Sequence, residues 1–171
     1  MKRRVLILLL GMSLPVMSAA NDGGYLSANL SRVTYKESGV SDAHPLTAGL
    51  RVGSALTEHF SLEARLGLGI RDDAVGGVDL ELDNYLGAYT RFIAPVSDSV
   101  AVYALVGIAR AKLTASNGFV SASDTEKGLS YGIGAELATG PRGFVTLEYG
   151  RLVSGDDYDL DILTLGLGRR F

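Results

Sequence analysis

The sequence predicts an all-β protein, an eight-stranded antiparallel up-and-down transmembrane β-barrel, and three observations carry this prediction. Hydrophobic residues make up 47% of the 171 residues, yet they form no apolar run of about 18 residues that could cross a membrane as a helix. Apolar and polar residues instead alternate with a period of two, which is typical of strands. Long polar connections also alternate with tight turns, as in an up-and-down barrel.

The first twenty residues are predicted to be a cleaved signal peptide. Residues 2–4 are basic, residues 5–14 are mostly apolar, and residues 18–20 are the small residues that a signal peptidase reads. Because the apolar stretch is too short for an anchor, we expect export by the Sec route and cleavage after about Ala20. The mature domain, 21–171, keeps 13 of the 16 basic residues against 19 acidic ones, and so nucleic acid is not an expected partner.

The clearest strand is predicted at 60–71, where every residue obeys the alternation. One face carries Phe60, Leu62, Ala64, Leu66, Leu68 and Ile70. The other face carries Ser61, Glu63, Arg65, Gly67, Gly69 and Arg71. The same pattern predicts strands at 46–56, 129–137, 144–151 and 163–171, and less regular strands near 24–36, 78–93 and 100–113. In the last of these the faces stay unassigned, because Arg110 falls in phase with the apolar residues.

The connections between these strands predict how the chain is threaded through a membrane. Long polar segments are predicted at 37–45, 72–77, 114–128 and 154–159, and tight turns at 57–59, 94–99 and 139–143. The long segments are expected outside the cell and the turns in the periplasm, together with both termini. Of the long segments, 114–128 is the one expected to be large enough for a binding surface.

The apolar face of each strand is predicted to meet lipid, and the polar face to line the lumen. Glycine is concentrated on the polar face, where it would make room for larger lumen side chains. These glycines are Gly49, Gly53, Gly67, Gly69, Gly132, Gly134, Gly166 and Gly168. Four aromatic residues, Phe60, Phe92, Phe144 and Phe171, lie at strand ends, as in an interfacial aromatic girdle. Closure into a barrel follows, because an open sheet edge in lipid would leave backbone groups unpaired.

Several stretches resemble the hairpins of small outer-membrane barrels in the OmpA/OmpX-like porin-family group. They are 50–53 with 60–67, 102–107 and the closing stretch 165–171. The terminal Phe171 is similar to the signal read by the barrel-assembly machinery, although Arg169 stands where that pattern usually has an apolar residue. The resemblance implies the outer membrane of a Gram-negative-type bacterium. Expected partners are outer-membrane lipid and lipopolysaccharide, with the assembly machinery and periplasmic chaperones during biogenesis.

A charged network is predicted inside the barrel. Its members are Arg51, Glu63, Arg65, Glu136 and Glu148, and Asp83, Tyr85, Tyr89 and Arg91 are candidates to extend it. Buried charges persist only when they are paired, and the interior of an eight-stranded barrel is just filled by side chains. We therefore expect a structural plug. A gated ion path or a carboxylate site is the alternative.

No enzyme, cofactor or metal site is expected. The chain has two histidines, His44 in a predicted outer loop and His59 in a tight turn at the opposite rim, and they could not share a site. Acidic residues gather in the outer loops at Asp72, Asp73, Asp156, Asp157 and Asp159. A solvated, repelling rim is favoured there over a site for divalent cations, since no ordered ligand spacing is present.

The leading functional interpretation is a monomeric barrel with a structural or interaction role in the outer membrane. One alternative is a surface adhesin or host-binding protein that acts through the outer loops. The other is a narrow channel or porin for small solutes.

Overall fold

The computed structural model describes residues 23–37, 42–75, 78–116, 120–154 and 158–171. The predicted signal peptide at 1–20 lies outside these ranges. The described residues form nine strands: β1 (Gly24–Glu37), β2 (Leu46–Ala55), β3 (Phe60–Arg71), β4 (Asp73–Val75), β5 (Val78–Pro95), β6 (Val100–Ser116), β7 (Ser121–Ala138), β8 (Gly143–Ser154) and β9 (Tyr158–Arg170). Within the described ranges, no helix is both long and apolar enough to span a membrane.

The strands form one antiparallel sheet that closes on itself. Its order is β3-β2-β1-β9-β8-β7-β6-β5-β4, and an additional pairing of β3 with β5 closes the ring. The short β4 follows β3 after Asp72 and pairs with β5 beyond the point where β3 ends. The architecture is therefore the predicted eight-stranded antiparallel up-and-down barrel.

The barrel has two distinct ends. The turn end holds the tight connections 56–59, 96–99 and 139–142, together with the start of β1 and the end of β9. Backbone hydrogen bonds close these turns, such as the 2.8 Å bond from the Leu56 amide to the Phe60 carbonyl. Gly140 has a φ of 153°, a conformation that side chains disfavour. The opposite end, called the loop end below, holds the other connections.

The orientation of the two strand faces is confirmed. Leu62 and Ile133 are 50% and 67% exposed on the outside, whereas Glu63 is 4% exposed in the lumen. The faces of β6, which the sequence left open, are settled by Tyr103, which points into the lumen at 3% exposure. Ile108 and Arg110 therefore lie on the outside of the barrel, as their exposure indicates.

The prediction of a long loop at 114–128 is wrong. The strand β6 runs to Ser116 and β7 starts at Ser121, with these two residues paired in register. Thr114 and Ser123 lie opposite each other and their hydroxyl oxygens are 2.8 Å apart, a cross-strand contact that favours pairing. A short polar hairpin carries no apolar periodicity, which explains the error. Phe119 lies outside the described residues.

The lumen has two layers. The turn half holds the charged and polar side chains described below. The loop half holds an apolar cluster whose buried members include Val33, Leu82, Ala111, Leu113, Leu152, Val153, Leu160 and Ile162. No such apolar layer was predicted, because in β6 apolar residues occupy both faces and the alternation gives no signal there.

Candidate functional site

The candidate site is a cluster of buried charges in the turn half of the lumen. Three arginines and two glutamates, each at most 6% exposed, form its centre: Arg51, Arg65, Arg91, Glu63 and Glu148. They come from β2, β3, β5 and β8. All five point inward because they share the phase of the small and polar residues in their strands.

Glu148 is the acceptor at the centre of the cluster. Arg65 makes a two-pronged contact with it, in which Nη1 donates to Oε1 and Nη2 donates to Oε2 over 2.8 Å. Arg51 Nη2 and the Tyr103 hydroxyl also donate to Oε2, over 3.3 Å and 3.0 Å. In the Arg65–Glu148 contact the planar guanidinium donates two parallel hydrogen bonds, one to each carboxylate oxygen. This is the strongest arrangement for an arginine–carboxylate pair.

Glu63 is the second acceptor. The Nε of Arg65 donates to its Oε1, and the Tyr25 hydroxyl donates to its Oε2 over 2.8 Å. Arg91 Nη1 lies 3.5 Å from the same Oε2. Arg51 Nε is 3.4 Å from Oε1 but its geometry does not form a hydrogen bond, so this contact is an ion pair alone. Arg65 therefore joins the two glutamates into one network.

Arg91 extends the network towards the turn end. Its Nη2 donates to Glu136 Oε2 over 3.1 Å, and Glu136 in turn accepts from Arg170. Arg91 also stacks on Tyr103, with its Cζ 3.9 Å from the ring centroid, a favourable cation–π contact. Arg65 makes a similar contact with Tyr89 at 4.5 Å.

Glycines give the lumen aromatics their space, as predicted. A Cβ atom on Gly134 would lie 2.4 Å from Cζ of Tyr103, and one on Gly53 would lie 2.2 Å from Cζ of Tyr25. Contacts that short are not tolerated between carbon atoms. The tyrosine rings therefore occupy the space that the glycines of the neighbouring strands leave free.

The five predicted network residues end up in two connected groups. Arg51, Glu63, Arg65 and Glu148 form the centre, and Glu136, with its side chain 13% exposed, joins through Arg91. Of the candidate extensions, Arg91 and Tyr89 contact network residues, and Tyr85 is a buried lumen residue. Asp83 does not join, because it pairs with Lys112 over 2.8 Å on another part of the barrel.

Three participants were missed: Tyr25, Tyr103 and Arg170. Tyr25 lies in phase with the polar residues of β1, and this signal could have found it. Tyr103 was missed because the faces of its strand were unassigned. Arg170 faces inward at the turn end. It was missed because its partner Glu136 lies on β7, which is separated from β9 by β8.

Of the four residues predicted to form an aromatic girdle, three lie on the outside of the barrel, where the girdle stays a prediction, and the fourth does not. Phe60 and Phe92 are 42% and 43% exposed on the outside, with ring centroids 5.1 Å apart, and Phe171 is 48% exposed. Phe144 is 1% exposed and lies in the lumen, next to Tyr25. The reason is phase: Phe144 alternates with Val145 and so shares the inward face of Glu148. A role for Phe171 as an assembly signal stays a prediction.

The two histidines lie at opposite ends, as the sequence indicated. His44 Nδ1 is 3.3 Å from Thr34 Oγ1, and its amide donates to Asp73 Oδ2 over 2.8 Å at the loop end. His59 Nδ1 is 3.2 Å from the Ile93 carbonyl at the turn end. Among the residues the structure describes, no group of three or more His, Asp and Glu side chains is placed to hold a metal ion.

Two acidic residues of the loop end, Asp159 and Asp161, are paired with basic side chains. Asp159 pairs with Arg151, and Asp161 accepts from Arg151 and Lys36 over 2.8 Å each. The expected repelling rim is therefore wrong for Asp159. Asp156 and Asp157 lie outside the described residues.

Solved structures of small outer-membrane barrels share this fold. Ail, the attachment invasion locus protein of Yersinia pestis, superposes with a TM-score of 0.69 at 20% identity, over 88% of this chain and 100% of that chain. Neisserial surface protein A gives 0.67 at 15% identity, over 87% and 97%. The N-terminal barrel of OprF from Pseudomonas aeruginosa gives 0.56 at 14% identity, over 85% and 97%.

Comparison with curated protein sequences gives no match. A family model does match, over residues 5–171, and its description is outer membrane protein beta-barrel domain. The match covers nearly the whole chain and agrees with the closed barrel, the outward apolar face and the polar lumen. The chain therefore belongs to the family of outer membrane protein beta-barrel domains.

Proposed function

We propose that this protein is a structural barrel of the outer membrane, with its loop end at the cell surface and its lumen closed by the charged network. The observation that carries the proposal is the contact of Arg65 with Glu148. These residues lie on β3 and β8, which are four strands apart in either direction around the ring. The pair therefore spans the lumen from one wall to the other.

Packing above and below this pair supports a closed lumen. Towards the turn end, Tyr25 and Phe144 make an edge-to-face contact at 5.9 Å, and the Arg170 guanidinium lies 4.9 Å from the Phe144 ring centroid. Towards the loop end, the apolar cluster contains residues that are fully buried, such as Leu82 and Leu160. A water-filled path would have to cross the charged pair and the packing on both sides of it.

The charges themselves also favour a structural role over an ion path. Each carboxylate of the network contacts at least two basic side chains, so none is left to attract a passing cation. Removing one member would leave a buried charge without its partner, which costs several kcal/mol. We assign no catalytic activity, since the two histidines are separated by the length of the barrel.

Planar-bilayer recording of the purified, folded barrel tests this proposal. A closed lumen gives no steady conductance above the bare bilayer. The double variant R65S/E148S, which removes both ends of the crossing pair, is expected to show more current than the wild type. A steady conductance in the wild type would contradict the plug and favour a narrow channel.

One observation favours a second function, binding at the cell surface. The β6–β7 hairpin continues as paired strands to Ser116 and Ser121, and residues 121–125 at the start of β7 are all exposed. Val120, at its tip, is 68% exposed. Ail, which shares the fold, is named for attachment and invasion. The exposed end of this hairpin is the surface that we propose for a protein contact.

This second function can be tested without disturbing the barrel. Thr114 and Ser123 are paired in register, so residues 115–122 between them can be replaced by a two-residue Asn-Gly turn. If the hairpin binds host cells, bacteria with the shortened hairpin bind fewer of them at an equal surface level of folded protein. Equal binding by both strains would exclude the hairpin as the adhesive element.

A further inference from the structure

Two positive charges face each other on the outside of the barrel. Arg110 of β6 and Lys127 of β7 are direct cross-strand partners in the antiparallel register. Both are exposed, and both share the outward face of Ile108 and Leu129. Within the described part of the chain, neither side chain has an ion-pair partner, whereas the nearby Lys112 pairs with Asp83 over 2.8 Å.

This arrangement is unfavourable for the isolated barrel. Like charges directly opposite each other destabilise a strand pair, because their Cβ atoms are only about 5 Å apart. The partner of Arg110 on its other side is Leu86, which offers no countercharge. On its other side Lys127 has no strand partner, since the described pairing of β7 with β8 begins at Tyr131. An anion held between the two cations would remove the repulsion.

The position of the pair indicates where such an anion would come from. The next outward residues towards the turn end are Ile108 and Leu129, 69% and 60% exposed, which belong to the apolar surface. The pair therefore lies at the loop-side edge of the apolar surface, where lipid headgroups begin. Cations on the outer face of a barrel cost little at that depth and much more at the midplane. Long basic side chains also reach readily to headgroup level.

We propose that Arg110 and Lys127 together bind a phosphate group of an outer-leaflet lipid, the phosphorylated glucosamine headgroup of lipid A. Arginine offers two parallel donors to a phosphate, and lysine adds a point charge. Among the described residues no strand pairs with β7 beside Lys127, and the bulky sugar headgroup is proposed to lie on that side. The inference rests on the proposed orientation, in which the loop end faces the outside of the cell.

The experiment measures how lipid A stabilises the folded barrel. The full mature chain is folded in phosphatidylcholine vesicles, and the urea midpoint is read from the shift between folded and unfolded gel bands. Separate arms add lipid A with both phosphates, lipid A with its phosphates removed, and inorganic phosphate in solution. A ligand that binds only the folded state raises the midpoint. The increase is expected with intact lipid A alone.

Three variants locate the effect. R110Q/K127Q is expected to lose most of the lipid A increase. The matched control R142Q removes an exposed charge from a turn at the opposite end, and is expected to keep the increase. K127E creates an attractive pair with Arg110, so its midpoint in phosphatidylcholine alone is expected to rise while the lipid A increase disappears.

Because K127E is predicted to gain stability, the test does not depend on whether R110Q/K127Q folds. The proposal is overturned if K127E responds to lipid A as the wild type does, or if phosphate-free lipid A gives the full increase. An equal increase with inorganic phosphate would overturn the assignment to a lipid headgroup. None of these readouts depends on conductance, so the lipid site can fail while the closed lumen stands.

Discussion

Arg65 and Glu148 are joined across the whole width of the barrel, with Arg65 Nη2 2.8 Å from Glu148 Oε2. They belong to β3 and β8, which share no strand neighbour in the sheet order. Backbone pairing joins each strand only to its two neighbours in the sheet. The Arg65–Glu148 pair instead links two strands on opposite sides of the barrel. The lumen network therefore acts as a cross-brace, and its loss is expected to lower the stability of the whole barrel.

The first prediction concerns the cost of breaking this brace. E148Q leaves Arg51 and Arg65 without their shared countercharge, and removal of one partner of a buried pair costs about 3–5 kcal/mol. The free energy of unfolding, measured from urea titration of the barrel in detergent micelles, should fall by that order. The control is E58Q, in an exposed turn, which should stay within about 0.5 kcal/mol of the wild type.

A double-mutant cycle separates the pair from general damage. R65Q and E148Q together are expected to destabilise the barrel by less than the sum of the two single changes, with a coupling energy of about 1–3 kcal/mol. Additive losses would mean that the two side chains are independent and would contradict the cross-brace.

The five charged residues named first could be assigned to this network from the sequence, but Tyr25, Tyr103 and Arg170 were missed, and the pairing of the members could not be predicted. The period-two pattern alone places Glu63 and Arg65 on the inner face, opposite to Leu62. Which carboxylate meets which arginine depends on the tilt and stagger of the strands, because these decide what lies at the same height across the lumen. A single sequence without its register contains no such height information.

The second prediction uses the fit between a glycine and a tyrosine. A Cβ on Gly134 would lie 2.4 Å from Cζ of Tyr103, so G134A forces the ring to shift away from Glu148. Overpacking of this kind costs about 1–3 kcal/mol of the unfolding free energy. In a Y103A background, where the ring is absent, the same glycine change should cost much less. An equal cost in both backgrounds would show that the ring is not the obstacle.

Errors in the sequence interpretation also have physical causes. The apolar layer of the loop half was missed because in β6 Ala109 faces the lumen while Ile108 faces outward, and two apolar faces give no alternation. The end of the β6–β7 hairpin was read as a loop because its strands are polar on both sides. Phe144 is different, since its phase with Glu148 already indicated the lumen and only its position near a turn suggested the girdle.

The third prediction tests that correction by comparing two phenylalanines. Phe144 is 1% exposed against lumen neighbours, so F144A leaves a cavity and should cost about 3–5 kcal/mol of unfolding free energy. Phe60 is 42% exposed and its ring contacts Phe92 on the outer surface, so F60A should cost about 0.5–1.5 kcal/mol through the lost ring pair. Urea titration of both variants in the same micelles gives the comparison. If Phe144 belonged to an outer girdle, the two losses would be similar; the structure requires the Phe144 loss to be the larger, because a buried ring has packing on every side.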